Sequence, residues 1–101
     1  LRIVASQVDR LEREIDALNA ELSALTSFVL PGGTAAAAAL HMARTVCRRA
    51  ERGAVALAAA ETVNPEAVRY LNRLSDLLFV AARYANDKGG GDVLWTPGAT
   101  R

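Results

Sequence analysis

Ile3-Val-Ala-Ser-Gln-Val-Asp-Arg-Leu-Glu-Arg-Glu-Ile-Asp-Ala-Leu-Asn-Ala-Glu-Leu-Ser-Ala-Leu25 is the stretch that decides the fold class. Val4, Val8, Leu11, Ile15, Leu18, Leu22 and Leu25 follow one another at steps of four and three. That spacing puts an apolar seam on one side of an α-helix. Asp9, Arg10, Glu12, Arg13, Glu14 and Asp16 fill the other faces. A helix over Ile3 to Leu25 is predicted. The seam is short for a free coiled coil and suits one wall of a helical bundle.

Working outward, Phe28-Val-Leu-Pro-Gly-Gly33 closes this segment, because Pro31 and the glycine pair break regular structure. Thr34 is an N-cap candidate for a second helix, Ala35 to about Ala60, with an apolar arc of Ala43, Val46, Cys47, Ala50, Ala54 and Leu57. Asn64-Pro65 starts a third helix, Asn64 as N-cap and Pro65 in the first turn, running to Tyr84 or Asn86. Its arc is Leu71, Leu74, Leu78 and Ala82. Gly89, Gly90 and Gly91 read as a flexible loop, and the tail from Asp92 as irregular, with Trp95 a candidate for docking it. The expected class is all-α, one domain over residues 1–101 with three helices and no strand. Leu1 is not Met and the helical pattern is already under way there, which reads as a start inside a larger protein.

Composition agrees. Hydrophobic residues make up 51% but aromatics only 5%, a balance that favours close-packed helices. Twelve basic against eleven acidic residues leave a net charge of +1, which argues against nucleic-acid binding. One cysteine, Cys47, and one histidine, His41, exclude an internal disulfide and make a side-chain zinc site untenable. No membrane span and no signal peptide are expected, and a cytoplasmic location fits.

Chemistry concentrates on two polar stripes. At 100° per residue Arg44, Arg48, Glu51 and Arg52 share one face of the second helix, pointing away from its alanine arc. Guanidiniums in such an array match phosphate oxygens, although a solvated face with local Arg–Glu pairs produces the same spacing. The third helix carries Arg69, Asn72, Asp76 and Arg83, with Ser75 at the edge. Phe28 is either a plug at a helix end or an apolar wall for a flat ligand. His41 and Cys47 read as packing residues.

Phe28-Val-Leu-Pro-Gly-Gly33, Ala43-Arg-Thr-Val-Cys-Arg-Arg-Ala-Glu-Arg52 and Tyr70-Leu-Asn-Arg-Leu-Ser-Asp-Leu-Leu-Phe79, in this order and spacing, resemble the PduO-type ATP:cob(I)alamin adenosyltransferases. Asp92-Val-Leu-Trp-Thr-Pro-Gly98 is similar to the tail of bacterial members. The resemblance implies the C-terminal portion of a five-helix bundle that assembles as a homotrimer, with ATP between subunits. It implies transfer of the 5′-deoxyadenosyl group of ATP to cob(I)alamin, reached from cob(II)alamin, with Mg2+ as cofactor. A corrinoid reductase and an adenosylcobalamin-dependent mutase are the partners it suggests. By the same resemblance Arg48 and Asn72 match ATP-contacting positions, and Arg49, Glu51 and Arg52 lie in the same nucleotide-binding motif. Arg44 matches an arginine that pairs with an acidic residue of the neighbouring subunit, and Phe28 the aromatic that displaces the corrinoid's lower ligand. Arg44 and Phe28 are therefore the catalytic candidates, with Phe28 on the cobalamin side. The family's Gly- and Thr-rich nucleotide loop has no counterpart in this sequence. A non-catalytic helical oligomerisation module is the alternative reading.

Overall fold

A computed structural model describes residues 2–98. Three helices dominate: α1 (Ala5–Asn19), α2 (Ala35–Ala60) and α3 (Pro65–Ala85). A short 3-10 turn, Asp87–Gly89, follows α3, and two strands of two residues each, β1 (Val29–Leu30) and β2 (Val93–Leu94), pair antiparallel. The all-α class holds, with that strand pair as its one exception among the described residues.

The caps form as the residues dictate. Thr34 Oγ1 accepts from Ala37 N at 3.1 Å, and Asn64 Oδ1 accepts from Glu66 N at 3.1 Å with Pro65 in the first turn. Each satisfies an amide that the helix itself cannot. Val4 has no side-chain acceptor, so α1 begins with half a capping box: Gln7 Oε1 accepts from Val4 N at 2.9 Å.

α3 is the central helix. α2 packs along one side of it and α1 along another, while the backbones of α1 and α2 do not approach within 8 Å of one another among the described residues. Asn64 Nδ2 donates to Ile3 O at 2.9 Å and fixes the entry of α1 beside the start of α3. The core holds Val8 and Leu11 of α1, Ala37 and Cys47 of α2, and Val80 and Ala82 of α3.

Two expectations are corrected. α1 stops at Asn19, not near Leu25. Beyond it the backbone is claimed by the far end of the chain: Ser23 N donates to Lys88 O at 3.1 Å, and Ser23 O accepts from Arg83 Nη2 at 2.8 Å. Leu25 is consequently half exposed. The buried side of α2 is also rotated from the predicted arc. Ala37, His41 and Cys47 are buried, whereas Val46 and Leu57 are exposed together with Met42 and Val55. Periodicity among many alanines marks the arc poorly, because alanine suits either face.

The glycine loop has a defined path. Gly91 N donates to Asn86 O at 2.7 Å, and Asp87 and Lys88 take positive φ. Gly33 (φ 99°) lies against Asn86, whose Oδ1 would sit 2.2 Å from an added Cβ. Asn86, almost wholly buried, accepts from Thr34 N and donates to Gly32 O, each at 2.9 Å.

Candidate functional site

The face of α2 that carries Arg44, Arg48, Glu51 and Arg52 meets Asn72, Ser75 and Asp76 of α3 across a cleft of about 560 Å³, with Val55 and Ala56 also lining it. That volume lies in the range of small-molecule sites. The two polar stripes thus converge. Glu51 Oε2 accepts from Asn72 Nδ2 at 2.9 Å, which ties the walls together. Asn72 Oδ1 accepts from Arg73 Nε and Nη2 at 3.1 and 2.7 Å, and Arg73 pairs with Asp76 at 2.5 Å. Asn72 Nδ2 is therefore directed towards Glu51 and its carbonyl towards Arg73. Ser75 is buried and its Oγ donates to Asn72 O at 3.1 Å, which stiffens this turn of α3.

No ion pair among the described residues engages Arg44, Arg48 or Arg52. The local Arg–Glu pairing that would make this an ordinary solvated face is not formed. Arg44 stacks on Phe79, its guanidinium 5.0 Å from the ring centroid, and its Nε is buried without a partner. The ring holds the guanidinium at the cleft by a cation–π contact. Phe79 is the residue that stripe reasoning missed, although it stands two turns beyond Asn72 on α3, a spacing that shares a face.

Other candidates fall elsewhere. Arg49 is exposed and lies outside the lining of the cleft. Arg83, counted with the polar stripe of α3, is 4% exposed and bonded to Asp92 and Ser23 O, far from a solvated role. Arg69 pairs with Glu66 on the surface. Phe28 is 75% exposed on the loop before β1, so it plugs no helix end. Trp95 does dock the tail: its N donates to Phe28 O at 2.8 Å.

His41 and Cys47 are buried, as read. The imidazole packs edge-on to Phe79 with centroids 6.4 Å apart. Its pKa is pushed below the usual imidazole value, first by burial, then by the charge of Arg44, with Asp92 opposing. Cys47 Sγ donates to Leu71 O at 3.2 Å, and burial, aided by Glu51, pushes the thiol pKa up. A protonated, inert thiol is the result. No group of three potential metal-ligating side chains occurs among the described residues.

A helical chain whose two consecutive helices line an arginine-rich cleft of nucleotide size is the class that fold and site define. The chain matches the family model described as cobalamin adenosyltransferase over residues 1–85 and belongs to that family. It is 58% identical over 106 residues to a corrinoid adenosyltransferase of Mycobacterium tuberculosis, covering 100% of this chain and 52% of that protein. A corrinoid adenosyltransferase of Bacillus subtilis is 50% identical over 93 residues, covering 91% and 48%. Solved structures agree. A PduO-type ATP:corrinoid adenosyltransferase variant from Lactobacillus reuteri, complexed with ATP, matches with a TM-score of 0.85 and 41% identity, over 95% of this chain and 55% of that one. A phenylalanine-to-alanine variant from the same organism, complexed with cobalamin and ATP, matches with a TM-score of 0.82 and 43% identity, over 94% and 52%. The chain spans about half the length of the curated relatives it matches. Among the described residues no helix is long and apolar enough to cross a membrane.

Proposed function

We propose that the intact protein transfers the 5′-deoxyadenosyl group of ATP to cob(I)alamin, giving adenosylcobalamin and triphosphate. The observation that carries this reading is the pair of guanidiniums, Arg48 and Arg52, which line one cleft beside Arg44 and make no ion pair among the described residues. Unpaired cations held together at a cleft repel one another and call for an anion. The relatives' names and the ATP and cobalamin complexes of the neighbours support ATP as that anion.

In the reaction the cobalt(I) electron pair forms the bond to C5′ of ATP, the C5′–oxygen bond breaks, and triphosphate departs with that bond's electrons. Negative charge grows on the leaving oxygen. Arg48 and Arg52 are assigned to the phosphates, where preformed charge costs no reorganisation during the step. Asn72 and Glu51 take the nucleoside end, and Arg49 flanks the same motif. Arg44, held on Phe79, is assigned to an acidic residue of a neighbouring subunit, which would partner its buried Nε. Phe28 belongs to the corrinoid and excludes its lower ligand. Mg2+ would be held chiefly by the phosphates of ATP and its own waters, with the Glu51 and Asp76 carboxylates available at the cleft, and would neutralise phosphate charge there.

The same reading makes the whole protein a five-helix bundle and a homotrimer. The exposed Met42, Val46 and Leu57, which share one side of α2, support assembly, since an apolar face is normally covered. Cobalt(I) needs a corrinoid reductase upstream, and the product serves an adenosylcobalamin-dependent mutase. Cytoplasmic residence accords with a lone free cysteine. The test is turnover by the intact protein. Arg48→Ala should lose ATP use while light scattering still gives a trimer. Unchanged kcat and KM for ATP in that variant would refute the assignment.

A further inference from the structure

The Phe28 loop is held by the end of the chain. β2 lies beside β1, with Val29 opposite Leu94 and Leu30 opposite Val93. Trp95 N donates to Phe28 O at 2.8 Å, and Ser27 Oγ donates to Trp95 O at 2.6 Å. The Phe28 carbonyl and the Ser27 hydroxyl are therefore both strapped to the Trp95 backbone. Their rings meet as well, with centroids 5.9 Å apart and planes at 63°, an edge-to-face pair. The strap has its own anchor, because Asp92, just before β2, is buried against Arg83 at 2.6 Å. Phe28, Leu30, Val93 and Trp95 all remain substantially exposed and, by strand alternation, share one face as an apolar shelf. An exposed phenylalanine on a loop would otherwise sample several rotamers.

We propose that Trp95 is a positioning residue for Phe28: the Asp92–Trp95 strap and the indole edge set the angle at which the Phe28 ring meets the lower face of the corrinoid. This rests on the assignment of Phe28 to the corrinoid side. The pair is one of sequence-distant residues, and neither the ATP cleft nor the reacting atoms involve Trp95. Its action is indirect, through the orientation of the phenyl ring.

The experiment uses the intact protein with cob(II)alamin, a reductant and ATP. Trp95→Phe keeps a ring edge and should retain turnover within about two-fold; Trp95→Leu keeps apolar cover without the edge and should lose about two- to ten-fold, the worth of an edge-to-face pair. The loss should appear as a fall in four-coordinate cobalt(II), read from its electronic spectrum, while KM for ATP stays unchanged. Equal behaviour of the two variants, or a parallel rise in KM for ATP, would overturn the positioning role. A second readout needs no corrinoid. The emission that disappears in Trp95→Phe belongs to Trp95, and Phe28→Ala should shift it. If that emission shifts but Phe28→Ala leaves cobalt(II) spectra and turnover normal, the corrinoid assignment of Phe28 fails. If Phe28→Ala is impaired and Trp95→Leu is not, only the positioning role fails.

Discussion

The cleft and the loop–tail corner both depend on arginines, and they use them in opposite ways. At the corner Arg83 is 4% exposed, pairs with Asp92 at 2.6 Å and donates to Ser23 O at 2.8 Å. Its charge is spent inside the protein. At the cleft Arg44, Arg48 and Arg52 face an open volume and form no ion pair among the described residues. Their charge is left for something that arrives. A guanidinium's partners, more than its place in a helical repeat, separate an architectural arginine from a binding one.

Substitutions should pull the two regions apart. Arg83→Ala leaves Asp92 buried and uncompensated, and breaking a buried pair from one side costs about 3–5 kcal/mol. Denaturant unfolding of the intact protein should show this loss, with KM for ATP in the remaining folded protein little changed. A loss below about 1 kcal/mol would mean that the corner is not the bolt described. Arg48→Ala should do the reverse. Loss of a charge-assisted contact to phosphate is worth about 1.5–3 kcal/mol, or roughly ten- to a hundred-fold in kcat/KM for ATP, with unfolding barely altered. Arg48→Lys should recover only part, since a planar fork is replaced by a point charge. If both variants lost stability and ATP use alike, the distinction between the regions would collapse.

Thr34 joins the corner to α2, because it caps that helix while its N donates to Asn86 Oδ1. Thr34→Ala should cost about 1 kcal/mol in unfolding. Thr34→Ser should be nearly silent. The smallest effect is a pH dependence from His41. Its pKa is lower in the folded protein than in the unfolded chain, chiefly through burial, so the unfolded state takes up the proton first. Stability should hold above the ordinary imidazole pKa, about 6.5, and decline as pH falls below it. His41→Gln should flatten the part of that slope nearest pH 6.5; an unchanged slope would show that His41 titrates alike in both states.

The sequence carried the helix boundaries best where capping chemistry marks them. Thr34 and Asn64-Pro65 start α2 and α3 where they were expected, because the donors they satisfy are local. The end of α1 was not legible, since it is set by Arg83 and Lys88, some sixty residues away. The strand pair was hidden for the same reason: two residues show no alternation. At the site, the shared face of Arg44, Arg48, Glu51 and Arg52 was legible from the helical repeat, and its meeting with Asn72 follows from antiparallel neighbours. Arg83 and Arg48 look equivalent in a polar stripe, and only tertiary burial tells them apart. The arc of α2 misled because its alanines are permissive, leaving Val46 and Leu57 outside the core.

The central place of α3 has a consequence for motion. It is flanked by both other helices, whereas α2 has a neighbour on one side among the described residues. Amide exchange should therefore be slowest in the middle of α3, because its opening disrupts two helix contacts at once. Within this chain the Asn72 wall of the cleft, on α3, is therefore the more firmly held of the two.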